Sequence, residues 1–148
     1  MAIIQGLQSE IFVPITPPPV WAGVTKELKD MTIALATAAG VHLKSDERFN
    51  LAGDTGYRVM PNDVPASDLM VSHGGYDNAD VNKDINCMFP VDRLNEMVKE
   101  GLIKAAAPNH YGFMGGGGDQ DAFATHTGPE IAARLLNEGV DAVVLTGG

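Results

Sequence analysis

The chain has 148 residues, of which 45% are apolar and 20% charged, so it has enough length and apolar content for one domain with its own core. A formal net charge of −9 argues against nucleic acid or an anionic membrane as the main partner, because both bind clustered Lys and Arg. No apolar run reaches the roughly 18 residues of a membrane span and the start lacks the features of a secretory signal, so we expect a cytoplasmic protein without a membrane span.

The first part of the chain is rich in proline. The run VPITPPPV predicts an extended arm over 1–19, because proline fixes φ and removes a backbone donor, and an α/β domain then covers 20–148. Behind the prolines, apolar residues recur at helical spacing and predict a helix at about 20–30. These residues are Trp21, Val24 and Leu28.

Short apolar runs that end in turn residues predict the strands. The clearest is MTIALATAAG, an unbroken apolar run that is typical of a strand buried on both faces of a parallel sheet. The predicted strands cover 31–39, 57–61, 68–72, 102–108 and 140–146.

Two segments have the periodicity of amphipathic helices. PVDRLNEMVKEG (90–101) places its apolar residues on one face and ends at Gly101, a residue type that suits the end of a helix. In THTGPEIAARLLNEG, Thr127 and Glu130 have the spacing of a capping box, which predicts a helix that ends before Gly139. The alternation of strands and helices predicts a parallel α/β sheet with helices on both faces, Rossmann- or flavodoxin-like, that stops after a sheet strand.

Histidines follow several of the predicted strands. Ligands of open parallel sheets bind beyond the carboxyl ends of the strands, and an imidazole there can serve as acid, base or metal ligand. His73 and His110 each lie beside a tyrosine and a glycine-rich turn, so we predict that both lie on one functional rim. The alternative, a loop histidine that hydrogen-bonds a backbone carbonyl, stays open for each, and His42 and His126 are predicted to be structural.

Two loops resemble ion-binding motifs without meeting their requirements. The four glycines at 115–118 lack the G-K-[ST] ending of a phosphate loop and precede two aspartates, so a mobile loop or lid is the better prediction. In DNADVNKDIN, Ile85 and Val91 stand where a calcium loop needs Gly and Glu. We therefore predict a polar loop whose side chains cap turns, and neither a metal nor a nucleotide site.

Cys87 is the single cysteine, so an internal disulfide is excluded and a zinc site would need other ligand types. Its neighbours in DINCMFP are mostly apolar. We therefore predict that Cys87 is a small core residue.

Three stretches, QSEIFVPITPPPVW, SHGGYDNADVNKDINCMFPVDRLNEMVKEG and NHYGFMGGGGD, carry a resemblance to a known family. They resemble the selenocysteine-containing subunits of D-proline reductases, which are related to the selenoprotein B components of glycine, sarcosine and betaine reductases. The resemblance covers essentially all 148 residues and corresponds to the amino-terminal part of such a subunit. It implies a selenocysteine, encoded by UGA, directly after Gly148, so that this chain lacks the family's nucleophile and is expected to be inactive alone.

The resemblance implies a cytoplasmic oxidoreductase of amino-acid fermentation of the Stickland type. The implied reaction is reductive cleavage of the ring C–N bond of D-proline to 5-aminopentanoate, with a pyruvoyl group on a partner subunit and an electron-donor protein. Within such a site we expect His73 and His110 to handle protons. The residues expected to shape the pocket, orient a histidine or hold the substrate carboxylate are Gly74, Gly75, Tyr76, Asp77, Asn78 and Tyr111.

Two alternatives stay open at this stage. The chain could belong to component B of a glycine, betaine or sarcosine reductase. It could also be complete as it stands, as a small non-catalytic α/β module whose glycine loops dock a partner.

Overall fold

A computed structural model describes residues 22–115 and 119–147 and shows a mixed α/β fold. The strands are β1 (Thr32–Thr37), β2 (Val41–Leu43), β3 (Tyr57–Pro61), β4 (Leu69–Val71), β5 (Ala105–Ala106), β6 (Asn109–Phe113) and β7 (Ala142–Thr146). The helices are α1 (Val91–Lys99), α2 (Gln120–Ala122) and α3 (Gly128–Asn137), with a π-helical segment, Phe123–Thr127, between the last two. The predicted arm at 1–19 lies outside the described residues.

Strand β1 is the centre of the main sheet. β7 runs parallel to it along one edge, and β5 and β6 run parallel to it along the other. β3 then pairs antiparallel with β6, and β2 and β4 form a separate antiparallel pair. The predicted all-parallel, Rossmann-like sheet is therefore wrong: the sheet is mixed, and the predicted strand at 68–72 belongs to the small pair instead.

The side chains of β1 alternate between two apolar clusters. Ile33 and Leu35 pack in one cluster with Leu94 of α1, whereas Ala34 and Ala36 pack in the other with residues of α3. Because successive residues of a strand point to opposite faces, one helix covers each face of β1. The prediction of a first strand buried on both faces is thus confirmed.

A bulge separates β5 from β6. Between the pairs Ile33 with Ala106 and Ala36 with Tyr111, β1 advances by three residues and its partner by five. Pro108 lies in this break and has no N–H to donate. The sequence predicted a strand that ends at 108 and a loop after it; instead, pairing with β1 resumes beyond the bulge.

The side chain of His110 repairs the backbone ladder at this bulge. The N–H of Leu35 donates to Nδ1 of His110 over 3.0 Å, so the ring proton lies on Nε2, which donates to Oδ1 of Asn62 over 3.0 Å. The same oxygen accepts from Nδ2 of Asn95 over 3.2 Å. Burial lowers the pKa of His110 to about 4, which keeps the ring in the neutral form that can accept from Leu35.

Two glycines allow the backbone to pack closely near the end of β1. A Cβ on Gly112 would lie 1.9 Å from the carbonyl oxygen of Val41. Gly40 has a φ of +69°, and a Cβ there would lie 2.4 Å from the carbonyl oxygen of Ser72. A side chain at either position would force the main sheet and the β2–β4 pair apart.

Three local predictions are wrong. The described part of the predicted helix at 20–30 is irregular up to a short 3₁₀ turn, Leu28–Asp30, and Val24 is 82% exposed. The helix predicted to end before Gly139 is present as α3, but Thr127 does not cap it, because the helical segment already starts behind Asp119, whose side chain accepts from the N–H of Ala122. Cys87 is exposed rather than buried.

The first two predictions rested on residue spacing and the third on apolar neighbours, and neither signal records tertiary contacts. The helix α1 and the predicted helix end at Gly101, with its φ of +72°, are confirmed.

Within the described ranges, no helix has the length and apolar character needed to cross a membrane.

The close approach at Gly112 predicts a large effect of a single methyl group. We expect Gly112→Ala to lower the free energy of unfolding by at least about 2 kcal/mol, because the backbone of Val41 must move. Gly23→Ala is the matched control, since a Cβ there meets nothing within 4 Å. Urea unfolding measures both, and equal midpoints for the two variants would contradict the packing described.

The buried neutral imidazole of His110 predicts a pH dependence of stability. The unfolded chain takes up a proton near pH 6.5 but the folded chain only near pH 4, so the unfolded state binds more protons between these values. The stabilisation is complete above pH 6.5 and is lost as the pH falls towards 4, by on the order of 3 kcal/mol.

His110→Asn removes the titrating group while keeping a side-chain acceptor. We expect this variant to be less stable at pH 7 but to have a shallower pH dependence than the parent between pH 6.5 and pH 4. Equal slopes for His110→Asn and the parent, in a plot of unfolding free energy against pH, would show that His110 titrates normally in the folded chain.

Candidate functional site

Three parallel strands end at the same edge of the sheet. At this edge the N–H of Ala38 donates to the carbonyl of Thr146 over 2.9 Å, which joins the end of β1 to the end of β7. The N–H of Gly115 donates to the carbonyl of Ala38 over 3.0 Å, which joins β1 to the chain behind β6. We call this edge, formed by 37–40, 113–115 and 146–147, the carboxyl rim.

The loop at 73–78 is attached to the carboxyl rim. The N–H of Ser72 donates to the carbonyl of Gly40 over 2.9 Å, and the hydroxyl of Tyr76 donates to the carbonyl of Ala39 over 2.9 Å. Partial burial raises the pKa of Tyr76, so its hydroxyl stays protonated and keeps this bond at neutral pH. The loop is thereby held over the end of the central strand.

His73 is ordered within this loop. Its ring lies 4.8 Å from the ring of Tyr76, centre to centre, and its Nδ1 accepts from the N–H of Gly75 over 2.9 Å. The neutral ring therefore carries its proton on Nε2, and burial lowers the pKa of His73 below its ordinary value. At neutral pH the ring offers an Nε2–H donor beside the carboxyl rim.

The polar residues of the loop mainly shape the loop itself. Nδ2 of Asn78 donates to the carbonyl of His73 over 2.9 Å, while Oδ1 of Asn78 is buried and has no partner among the described residues. Oδ1 of Asp77 accepts from the N–H of Ala79 over 2.9 Å. Asp77 thus closes its own turn, and the expected contact of its carboxylate with a histidine is not formed in this structure.

His110 and Tyr111 lie away from the loop. His110 bonds to Leu35, four residues before Ala39, which is roughly 13 Å along a strand. Tyr111 is fully buried on the face of the sheet that α3 covers, where its hydroxyl donates to Glu138 over 3.2 Å. Burial and the Glu138 carboxylate raise the pKa of Tyr111 to about 12.

The structure therefore brings together one part of the predicted site. The residues that share the loop at the carboxyl rim are His73, Gly74, Gly75, Tyr76, Asp77 and Asn78. His110 lies within β6 rather than beyond a strand end, so the two histidines predicted for one rim are separated. The catalytic and binding roles of all these residues stay predictions.

The other two histidines have local partners. His42 is buried, with Nδ1 2.6 Å from the carbonyl of Leu43 and Nε2 2.8 Å from the hydroxyl of Ser72. His126 is exposed, and its Nδ1 lies 2.8 Å from the hydroxyl of Thr125. In the part of the chain that is described, no group of three or more metal-ligating side chains comes together.

Sequence reasoning missed a contact at the end of β7. The hydroxyl of Thr146 donates to the carbonyl of Met88 over 2.5 Å, which brings the 3₁₀ turn Ile85–Cys87 to the carboxyl rim. The exposed thiol of Cys87 is therefore one residue from this contact. No local signal could have revealed it, because 58 positions separate the two bonded residues.

A small cavity of about 200 Å³ lies where the carboxyl rim meets the chain behind β6. Phe113, Met114 and Gly115 line one side of it, and Asp54 and Asp119 contribute carboxylates. Negative charge disfavours an anionic ligand, so this cavity is a poorer candidate than the 73–78 loop for a substrate carboxylate.

Comparison with known proteins agrees with the resemblance seen in the sequence. The chain is 68% identical over its whole length to the D-proline reductase subunit gamma of Acetoanaerobium sticklandii, and it covers 61% of that relative. It is 33% identical to the glycine reductase complex component B subunit gamma of Carboxydothermus hydrogenoformans, over 97% of this chain and 35% of that protein.

A sarcosine reductase complex component B subunit beta of Peptoclostridium acidaminophilum is 29% identical, over 97% of this chain and 35% of its own length. No solved structure matches the chain. The family model for glycine/sarcosine/betaine reductase selenoprotein B matches residues 7–148. The chain therefore belongs to the glycine/sarcosine/betaine reductase selenoprotein B family.

Proposed function

We propose that the chain supplies the amino-terminal part of the selenocysteine-containing subunit of a D-proline reductase. The observation that carries this proposal is the 68% identity to a D-proline reductase subunit over the whole chain, against 33% and 29% for the glycine and sarcosine reductase components. The complete enzyme would cleave the ring C–N bond of D-proline reductively to 5-aminopentanoate. It would do so in the cytoplasm, in amino-acid fermentation of the Stickland type.

Two groups outside this chain would supply the covalent chemistry. In the complete enzyme a selenol, which is more acidic than a thiol, provides an anionic nucleophile, and a pyruvoyl group on a partner subunit activates the ring nitrogen. An electron-donor protein would restore the reduced state. The residues of this chain would bind the substrate, orient it and supply protons.

The loop at the carboxyl rim is the part of the chain best suited to these tasks. The Nε2–H of His73 is a donor that could bind the substrate carboxylate or serve the departing nitrogen. The amide of Gly75 already donates to His73, so the amide of Gly74 and the second Nδ2 hydrogen of Asn78 are the donors proposed for a carboxylate. Tyr76 would form the wall that holds His73 in place.

His110 would have a positioning role rather than exchange protons with substrate. Both of its ring nitrogens are engaged, with Leu35 and Asn62, and the ring is completely buried. Protonation at Nδ1 would break the bond to Leu35 and leave a buried charge, which is costly. Tyr111 would likewise support the sheet through Glu138 rather than line the pocket.

The substrate is tested with the complete subunit assembled with its pyruvoyl partner and a dithiol as reductant. We expect 5-aminopentanoate from D-proline and no reductive cleavage of glycine, sarcosine or betaine. The rates are measured by separating the products. Turnover of one of the three other amines instead of D-proline would assign the chain to the corresponding component B.

The role of His73 is tested by His73→Ala in the same assembled enzyme. We expect kcat to fall by about 100-fold or more, because a positioned proton donor typically contributes at least that factor. His126→Ala is the matched control, since His126 is exposed and lies on a different segment. Thermal unfolding of both variants shows whether the fold is intact.

The positioning role of His110 is tested by His110→Ala. We expect His110→Ala to lower the unfolding midpoint more than His73→Ala does, since it leaves the buried N–H of Leu35 without an acceptor. Unchanged turnover in both alanine variants would remove both histidines from the mechanism.

A further inference from the structure

We propose that the free edge of β7 is the docking site for the part of the longer relatives that lies outside the match, and that a strand from that part pairs with β7 in parallel. This inference rests on family membership and on the geometry of β7. It does not depend on which amine is the substrate.

The composition of β7 is that of an internal strand. Its sequence, AVVLT, has no alternation of apolar and polar residues, which is typical of a strand covered on both faces. Yet Val143 is 36%, Val144 44% and Leu145 73% exposed. Through the register with β1, Val143 and Leu145 lie on the face covered by α3, and Val144 lies on the face covered by α1.

The backbone of β7 is also unpaired on one side. Among the described residues, β7 pairs only with β1, whereas the opposite outer strand, β3, has β2 against it. The carbonyl of Thr146 accepts from Ala38, and alternation along a parallel strand then directs the N–H and C=O of Val143 and Leu145 outwards. The backbone of β1 alternates in the same way. Ile33 and Leu35 bond to the β5–β6 side, whereas Ala38 bonds to β7.

An exposed apolar strand with unpaired amides is an aggregation hazard unless something covers it. The length of the relatives indicates what covers this strand. The chain covers 61% of the D-proline reductase subunit gamma, so roughly 95 residues of that relative lie outside the match, enough for two or three strand–helix units of about 30 residues. A strand from such a unit would continue the sheet, and its crossover helix would cover Leu145.

A second copy of this chain is the competing occupant, and symmetry distinguishes it. Two β7 edges related by a two-fold axis would pair antiparallel and would give a homodimer. A partner strand from the uncovered segment would give a complex with one copy of each polypeptide. The two arrangements therefore differ in mass.

The test compares two samples by residue-resolved amide hydrogen exchange. One is this chain alone, and the other is the chain co-expressed with the segment of the Acetoanaerobium sticklandii subunit that lies outside the match. We expect the amides of Val143 and Leu145 to exchange on the order of 100-fold more slowly in the second sample. The amide of Val144, which points to β1, serves as the internal control and should be protected in both.

Variants test whether the segment binds at β7 rather than elsewhere on the chain. Leu145→Lys should abolish co-purification of the segment without lowering the unfolding midpoint of the chain, because Leu145 is 73% exposed. Leu102→Lys is the matched control, 49% exposed and next to the end of α1, and should leave co-purification intact.

Three results would overturn the proposal. One is equal exchange of Val143 and Leu145 with and without the segment. Another is a homodimer of the chain in which these two amides are already protected. The third is a segment that binds Leu145→Lys as well as it binds the parent chain.

Discussion

The structure depends on a side chain that takes the place of a backbone carbonyl in the central sheet. In the bulge between β5 and β6, the N–H of Leu35 donates to the imidazole of His110, and without this acceptor an unsatisfied buried N–H would cost about 1–3 kcal/mol. Through Asn62 and Asn95 the same ring is connected to the end of β3 and to α1. A neutral, fully buried imidazole of β6 thus links the central strand to the end of β3 and to α1.

The position of the candidate site follows from this bulge. The two extra residues shift the register so that Tyr111 and Gly112 pair with Ala36 and Thr37, and the chain behind β6 then reaches Ala38. Gly40 lets the chain turn away at that point and receive the loop that carries His73. The rim is thus formed mainly by backbone hydrogen bonds, and the loop side chains that bond within it hold the Nε2–H of His73 ready for a ligand.

The same rim is where β7 ends, and this relates the proposed function to the proposed docking surface. The selenoprotein B relatives are longer than the match, and β7 presents apolar side chains, and amides unpaired among residues 22–115 and 119–147, at the side of the sheet where a further strand would fit. A site completed at the carboxyl rim by an added unit would have His73 on one polypeptide segment and further groups on another.

The sequence by itself determined the family, the α/β class, the first strand buried on both faces, the helix α1 and the strand β7. These follow from signals between near neighbours: an unbroken apolar run, a 3.6-residue periodicity, a terminal glycine, and motifs long enough to identify relatives. Only the tertiary structure decided that β3 is antiparallel, that Thr127 is internal to a helical segment, that Cys87 is exposed, and that His110 belongs to the sheet rather than to the rim. The physical reason is distance along the chain: the partner of His110 lies 75 positions away, and no local pattern records which backbone N–H a bulge will leave without its acceptor.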